Sequence, residues 1–385
     1  FQRCDVRADA PQRRSGRNGC ATFFFPFVND YRTDPDGLPV RGILLFSTRK
    51  NRCAMKKFAK ILGVLLLLVV LVVIGAITYV TKALPNIDVP ADLKVDVTPE
   101  RVARGGYLAN SVCVCMDCHS TRDWNTYAAP LTPGTLGKGG ERFDETMNFP
   151  GTFFARNITP FGIKEWSDGE IYRAITSGVS RDGHPFFPVM PYPNYGKLDN
   201  EDVYSIIAYL RSLPPIESTH PASEPSFPMS VILHTIPQPA TPTKRPDPSD
   251  VLAYGAYMTN AAACMECHTK TEKGKKIGEP FAGGFEFVFP GGSTVRSANI
   301  TPHPTTGIGA WDKATFIARF KQHADSAYVP PPINWQDGDF QTVMPWMMYS
   351  SMSEQDLGAI FDYLRSLPPV DNRIEKWTPA VAQAQ

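Results

Sequence analysis

Two copies of one pattern run along this chain, and each opens on a Cys-x-x-Cys-His motif. The first copy reads Gly106-Tyr107-Leu108-Ala109-Asn110, then Cys115-Met116-Asp117-Cys118-His119, Asn157-Ile158-Thr159-Pro160, Val189-Met190-Pro191 and Tyr209-Leu210-Arg211-Ser212-Leu213-Pro214-Pro215. The second reads Gly255-Ala256-Tyr257-Met258-Thr259-Asn260, then Cys264-Met265-Glu266-Cys267-His268, Asn299-Ile300-Thr301-Pro302, Val343-Met344-Pro345 and Tyr363-Leu364-Arg365-Ser366-Leu367-Pro368-Pro369. From the Met of Val-Met-Pro to the Tyr of the last motif is 19 residues both times, while His to Met is 71 residues in one copy and 76 in the other. Marked positions therefore keep their order while the loops between them vary. A repeat of this kind implies two similar domains. We place them at 98–215 and 251–371, with a Pro-, Ser- and Thr-rich linker at 216–250 and a tail at 372–385.

Helical signals inside each copy are local. Thr98-Pro99-Glu100 has the form of an N-cap followed by Pro at the first helical position, opening a helix through Tyr107. Apolar residues from Asp202 to Leu213 recur at helical spacing and stop before Pro214-Pro215, and Gln355 to Leu367 repeats this. Sustained period-2 stretches are missing, and 36 prolines favour short helices joined by stiff loops. So little regular structure needs something large to pack around.

Cys-x-x-Cys-His is a c-type haem attachment motif. Cys115 and Cys118, like Cys264 and Cys267, are spaced to form two thioethers to one haem, and His119 or His268 then supplies the proximal imidazole. Zinc pairs of Cys-x-x-Cys units usually sit about 15–20 residues apart, whereas 145 residues separate Cys118 from Cys264. A thioredoxin-like pair would require a strand–helix setting and no obligatory His. Two covalently bound haem c groups are the expectation. Met190 and Met344, in register and each followed by Pro, are the expected distal ligands; a thioether raises the reduction potential and fills the vacancy that oxygen or peroxide would use. Met347, Met348 and Met352 compete for the second site, but Met344 alone has a counterpart in register. His184 reads as a surface residue, Cys113 as a small buried one, and Trp166 and Trp311 either as haem-edge groups or as core filling.

Upstream, twenty uncharged residues from Ile61 to Val80 match the length of a membrane-spanning helix. Arg49, Lys50, Arg52, Lys56, Lys57 and Lys60 crowd its N-terminal side, which should stay cytoplasmic. The run exceeds the 7–15 residues of a signal-peptide core and ends without a clean cleavage site, so a retained anchor (55–82 with its basic flank) is expected over a cleaved leader. Met55-Lys56-Lys57 opens like a natural bacterial N-terminus, and residues 1–54, Arg-rich and irregular, read as an upstream or disordered extension. The expected localisation is a bacterial inner membrane, single-pass, with the haem domains in the periplasm. With a net charge of +1, nothing points to a nucleic-acid partner.

The stretch Pro290-Gly291-Gly292, Asn299-Ile300-Thr301-Pro302, Thr306-Gly307-Ile308-Gly309-Ala310-Trp311, with the Val-Met-Pro and Tyr-Leu-Arg-Ser-Leu motifs, resembles the cytochrome c subunits of membrane-bound bacterial dehydrogenases of the alcohol and gluconate type. The resemblance covers roughly residues 98 to 371. It implies an all-α fold: an N-terminal transmembrane helix and two class I cytochrome c domains in tandem. It also implies an electron-transfer protein rather than an enzyme. Electrons would pass from a respiratory donor (a dehydrogenase or quinol-oxidising complex) to an acceptor such as a terminal oxidase. Dehydrogenase subunits of this kind usually carry three haem units and this chain has two, which bears on the partner. The alternative is a di-haem peroxidase-like or small-molecule-oxidising cytochrome, which would need an open sixth position on one iron.

Overall fold

The computed structural model describes residues 49–334 and 337–380. Of the expected upstream extension, residues 1–48 lie outside the described residues, as do 381–385 of the tail. By packing the chain divides into Phe1–Val69 and Val70–Gln385. The helix Arg49–Ala83 contains a stretch, Met55–Ala83, long and apolar enough to cross a membrane.

Within Val70–Gln385 each repeat is built on a crossed pair of helices. In the first half an entry helix, Pro99–Tyr107, packs on a closing helix, Asn200–Ser212; in the second, Val251–Ala261 packs on Glu354–Ser366. Side-chain oxygens cap all four N-termini: Thr98 accepts from Arg101 N, Asp199 from Glu201 N, Asp250 from Ala253 N and Ser353 from Asp356 N. Both closing helices stop at Ser212 and Ser366 because the proline pairs two residues later cannot continue them. The crossings are tight because they are made at glycine. A Cβ on Gly105 would lie 1.8 Å from Ser205 O, and one on Gly255 would lie 2.1 Å from Ala359 O.

That contact fixes the register between the halves: Gly105 corresponds to Gly255 and Tyr107 to Tyr257. The first half then holds one extra residue before its first cysteine, and the backbone absorbs it as a π-turn over Leu108–Val112, with Cys113 N donating to Leu108 O at 2.7 Å. Beyond it the copies coincide again. Val114 (φ 46°) and Ala263 (φ 50°) take the same left-handed step into the short helices Cys115–Cys118 and Cys264–Cys267.

An all-α fold is not what the chain adopts. Among the described residues three small antiparallel sheets accompany the helices. Arg142–Phe143 pairs with Gly151–Phe154, which pairs with Glu224–Pro225; Thr271–Glu272 and Lys275–Lys276 form a hairpin; and Glu286–Val288, Thr294–Arg296 and Trp377–Thr378 form a third sheet. These strands are two to four residues long. Alternation needs about four residues to be visible, so the absence of a period-2 pattern could not exclude them. Two of the strands come from outside the repeats, Glu224–Pro225 from the segment expected as a linker and Trp377–Thr378 from the tail.

The repeated Asn-Ile-Thr-Pro motif has a structural job. Asn157 Oδ1 accepts from Thr159 N and Oγ1, and its Nδ2 donates to Ile216 O at 2.8 Å. Asn299 does the same with Thr301 and Val370 O. Each Asn ties the loop after the Cys motif to the chain leaving the closing helix.

One hydrophobic core runs through both halves. It contains Leu108, Val112, Met116, Ile206 and Leu210 from the first and Tyr254, Met258, Leu357, Ile360 and Leu364 from the second. The interface is a reciprocal exchange of tyrosines. Tyr257 donates to Asp202 at 2.7 Å and accepts from Asp199 N, while Tyr107 donates to Asp356, the counterpart of Asp202, and accepts from Ser353 N. A second clasp crosses the halves at Gln341, which is fully buried; it accepts from Ala128 N and donates to Trp124 O and Thr126 O.

Candidate functional site

The two Cys-x-x-Cys-His motifs sit in matching surroundings. His119 Nδ1 donates to Arg156 O at 2.7 Å, and His268 Nδ1 donates to Ala298 O at 2.7 Å. The carbonyl of each histidine accepts from a glycine N–H, Gly139 and Gly283, and the next residue's hydroxyl, Ser120 or Thr269, accepts from Gly137 N or Phe281 N. A histidine held by Nδ1 to a carbonyl has one tautomer, with Nε2 left as the basic nitrogen. Burial lowers the pKa of both rings, opposed by the Nδ1 hydrogen bond, and so favours the neutral imidazole that binds metal.

Partial burial pushes the thiols of Cys115, Cys118 and Cys264 up to about 12, while Cys267 is exposed. Reactive dithiols and zinc sites need the thiolate, hence a lowered pKa. This environment does the opposite. Among the described residues no group of three or more His, Cys, Asp or Glu side chains is placed to hold a metal ion. Apolar surroundings of this kind suit thiols that are consumed in thioethers rather than held as thiolates. Cys115, Cys264, Met190 and Met344 are all half-buried against the shared core, and Cys118 packs on a second cluster with Phe143, Phe153 and Leu233.

Each expected distal methionine precedes a short helix, Tyr192–Tyr195 or Trp346–Tyr349, whose last residue is pinned back to its own Cys motif. Tyr195 OH donates to Cys113 O at 2.7 Å, and Tyr349 OH donates to Ala262 O at 2.8 Å. These tyrosines thus tie the methionine loops to the turn entering each Cys-x-x-Cys, a role missed in the sequence although both lie five residues after their Met. The same two bonds show that Cys113 occupies the place of Ala262, a buried position facing the core. Of the rival ligands, Met348 and Met352 are core residues, Met347 is half-buried and His184 is exposed beside Asp182. Trp166 and Trp311 pack partly buried against the core.

Sequence reasoning also missed a buried ion network at the first motif. Arg122 bonds Asp117 at 3.0 Å and Glu141 at 2.7 Å, lies over the Trp124 ring at 4.3 Å, and is nearly inaccessible. Burial raises the Asp117 pKa, and Arg122 opposes it. Glu141 lies 22 residues beyond His119, across a loop, and nothing in the local pattern marks it as the partner of Arg122. The second half has no such arginine; Thr271 stands in its place and Glu266 meets the exposed Lys276 instead.

Residues 252–368 match the family model for cytochrome c. The match is to one domain, in the second half, so the expectation of two class I cytochrome c domains in tandem is corrected to one matched domain; the first half departs from it by the extra residue of its π-turn and by its buried arginine. The chain is 27% identical over 298 residues to the cytochrome c subunit of a quinone alcohol dehydrogenase from Gluconacetobacter polyoxogenes, covering 71% of this chain and 58% of that one. It is 26% identical over 293 residues to the gluconate 2-dehydrogenase cytochrome c subunit of Pantoea cypripedii, covering 70% and 60%. A diheme cytochrome c-type protein of Cereibacter sphaeroides is 30% identical over 119 residues, covering 30% and 38%. The chain spans less than two thirds of the length of these relatives. Its residues 252–368 thus match cytochrome c, and about 70% of its length is similar to the cytochrome c subunits of a quinone alcohol dehydrogenase and a gluconate 2-dehydrogenase.

Proposed function

We propose that the chain is an electron-transfer subunit holding two haem c groups, one at each Cys-x-x-Cys-His motif. Cys115 and Cys118 would hold one through thioethers, with His119 and Met190 supplying donors to its iron; Cys264 and Cys267 would hold the other, with His268 and Met344 as donors. The observation that carries this reading is the duplicated histidine clamp, in which Nδ1 is tied to a backbone carbonyl at 2.7 Å in both halves. Haem, when bound, supplies a one-electron iron couple whose potential Met ligation raises. The chain's own residues do the rest. Each clamp fixes the imidazole's tautomer and orientation, and Tyr195 and Tyr349 hold the methionine loops in place.

The same reading extends to setting. The helix Arg49–Ala83 would anchor the chain in the inner membrane with both haems on the periplasmic side, as the basic residues of its N-terminal end imply. Its donor would be a dehydrogenase or quinol-oxidising complex and its acceptor a terminal oxidase. The test is haem content per chain together with the spin state of each iron by EPR of the oxidised protein. Two low-spin haems per chain are expected. One haem per chain would remove the first-half site, and a high-spin iron would mean that Met190 or Met344 is not bound.

A further inference from the structure

We infer that the face of the molecule next to residue 84 rests on the lipid surface, with Phe227 and Ile232 entering the bilayer interface and Arg173 taking a phospholipid phosphate. This rests on the anchor reading of Arg49–Ala83. The apolar run ends at Val80, so Leu84 falls within the few ångströms of headgroup layer beyond a hydrocarbon core of about 30 Å. Asn86 is three residues past the helix end, hence at most about 11 Å from it. Two features meet this strap. The first is the turn Phe227–Ile236, which is tied to it by His234 Nδ1 donating to Leu84 O at 2.7 Å. Phe227 is 77% exposed and Ile232 43% exposed, on a short segment that buries only Leu233 well. Large apolar side chains held in the open on a turn bonded to the residue that follows a membrane-spanning helix have an apolar neighbour in the lipid itself.

The second feature is a groove of about 300 Å³ lined by Asn86, Ile87, Arg173, Thr176, Ser177 and Pro239, among others. Arg173 is 9% exposed. Its guanidinium donates to Ile87 O, Ser180 O and Arg181 O, its Nε has no partner, and among the described residues no carboxylate lies within ion-pair distance; Glu170 and Asp182 act on it from farther off and are engaged with Arg181 and His184. Asp88 also lines the groove, but it is exposed and forms no ion pair with Arg173. The equivalent residue in the second half, which has no strap to hold, is Ala318. A buried cation that touches carbonyls but no carboxylate favours a contacting anion. At a membrane surface the abundant one is the phosphodiester.

The experiment uses the full chain in vesicles of mixed phosphatidylcholine and phosphatidylglycerol, with the photo-crosslinking residue benzoylphenylalanine at Phe227, at Ile232, or at the equally open Val329 (79% exposed) as control. All three positions are exposed, so the replacements leave the core untouched. Lipid adducts at 227 and 232 are expected to exceed those at 329 several-fold. The yield at 227 should fall at least twofold with Arg173→Gln and recover with Arg173→Lys. Equal yields at the three positions, or adducts to protein in place of lipid, overturn the inference; a yield indifferent to Arg173→Gln overturns its phosphate part. Alkaline carbonate extraction separates this from the anchor reading: a chain released by carbonate has no spanning helix, whereas a retained chain without lipid adducts refutes the docking alone.

Discussion

Replacing Gly105 by Ala isolates what the helix crossing contributes. In a helix the change should help by about 0.5–1 kcal/mol, because Ala loses less backbone freedom than Gly. Here the added Cβ would sit 1.8 Å from Ser205 O and 2.4 Å from Ser205 C. Both are backbone atoms of the closing helix, so no side-chain rotation relieves the clash and the helices must separate by more than about 1 Å, since real Cβ contacts stay beyond 3.0 Å. Overpacking of a core costs about 1–3 kcal/mol, and a rigid backbone contact belongs at the top of that range. Net destabilisation should be about 2–3 kcal/mol, which for a unit the size of Val70–Gln385 lowers the unfolding midpoint by roughly 3–5 °C. Gly255→Ala, 2.1 Å from Ala359 O, should behave alike. Gly106→Ala is the control: its nearest contact is 3.2 Å to the edge of the Tyr209 ring, and its net effect should stay within about 1 kcal/mol of zero. The assay is the midpoint of helical circular dichroism for the three variants under one set of conditions. If Gly105→Ala unfolds within a degree or so of Gly106→Ala, the crossing is not backbone-limited and the register drawn from it fails.

Three other outcomes follow from the same structure. Gln341→Ala leaves the carbonyls of Trp124 and Thr126 and the N–H of Ala128 without their buried partner, so it should cost about 3 kcal/mol and raise hydrogen exchange at Ala128; unchanged exchange there would show that the clasp is not formed in solution. His323 is buried with Nδ1 unpartnered, and burial followed by the Arg319 charge lowers its pKa below 6.5. The unfolded chain therefore binds the extra proton, and stability should fall as pH drops below 6.5 towards the folded pKa, by at most about 1.4 kcal/mol per pH unit; denaturant titrations at about pH 7 and about pH 5 should show a smaller loss in His323→Phe. Met190→His and Met344→His should each lower one of two reduction potentials by on the order of 0.1 V or more in a redox titration, within the roughly 0.8 V that axial ligands command, and a potential that does not move means that the Met is not a ligand.

How far the sequence carried depends on whether a feature is periodic, repeated or neither. The helices Pro99–Tyr107 and Asn200–Ser212 were legible from their cap and their proline stop. The Cys-x-x-Cys-His and Val-Met-Pro motifs stood out because they occur twice in one order. The sheets were not, since strands of two to four residues are shorter than the pattern that reveals strands. The network of Asp117, Arg122 and Glu141 was hidden for another reason: it occurs in one half alone, and its members come together through a loop rather than through spacing.

The exchange of Tyr107 and Tyr257 explains why the two halves share one core. Asp202 and Asp356 are nearly inaccessible, and a carboxylate so placed must be fully hydrogen-bonded or neutral. Asp202 takes two bonds from Arg104 in its own half and one from Arg245, but Asp356 has no such arginine, because Tyr254 stands where Arg104 does. Its described side-chain donors are Tyr254 at 2.7 Å and Tyr107 from the other half. The second half therefore depends on the first to satisfy a buried charge, whereas Asp202 would keep its arginines without Tyr257. Burial, with Asp356 beside it, pushes Tyr107 up to about 12, so the donor keeps its proton across the physiological range. The asymmetry predicts that Tyr107→Phe loosens the second half more than Tyr257→Phe loosens the first. Hydrogen exchange across Glu354–Ser366 and Asn200–Ser212 would show it, and equal protection losses in the two closing helices would contradict the dependence.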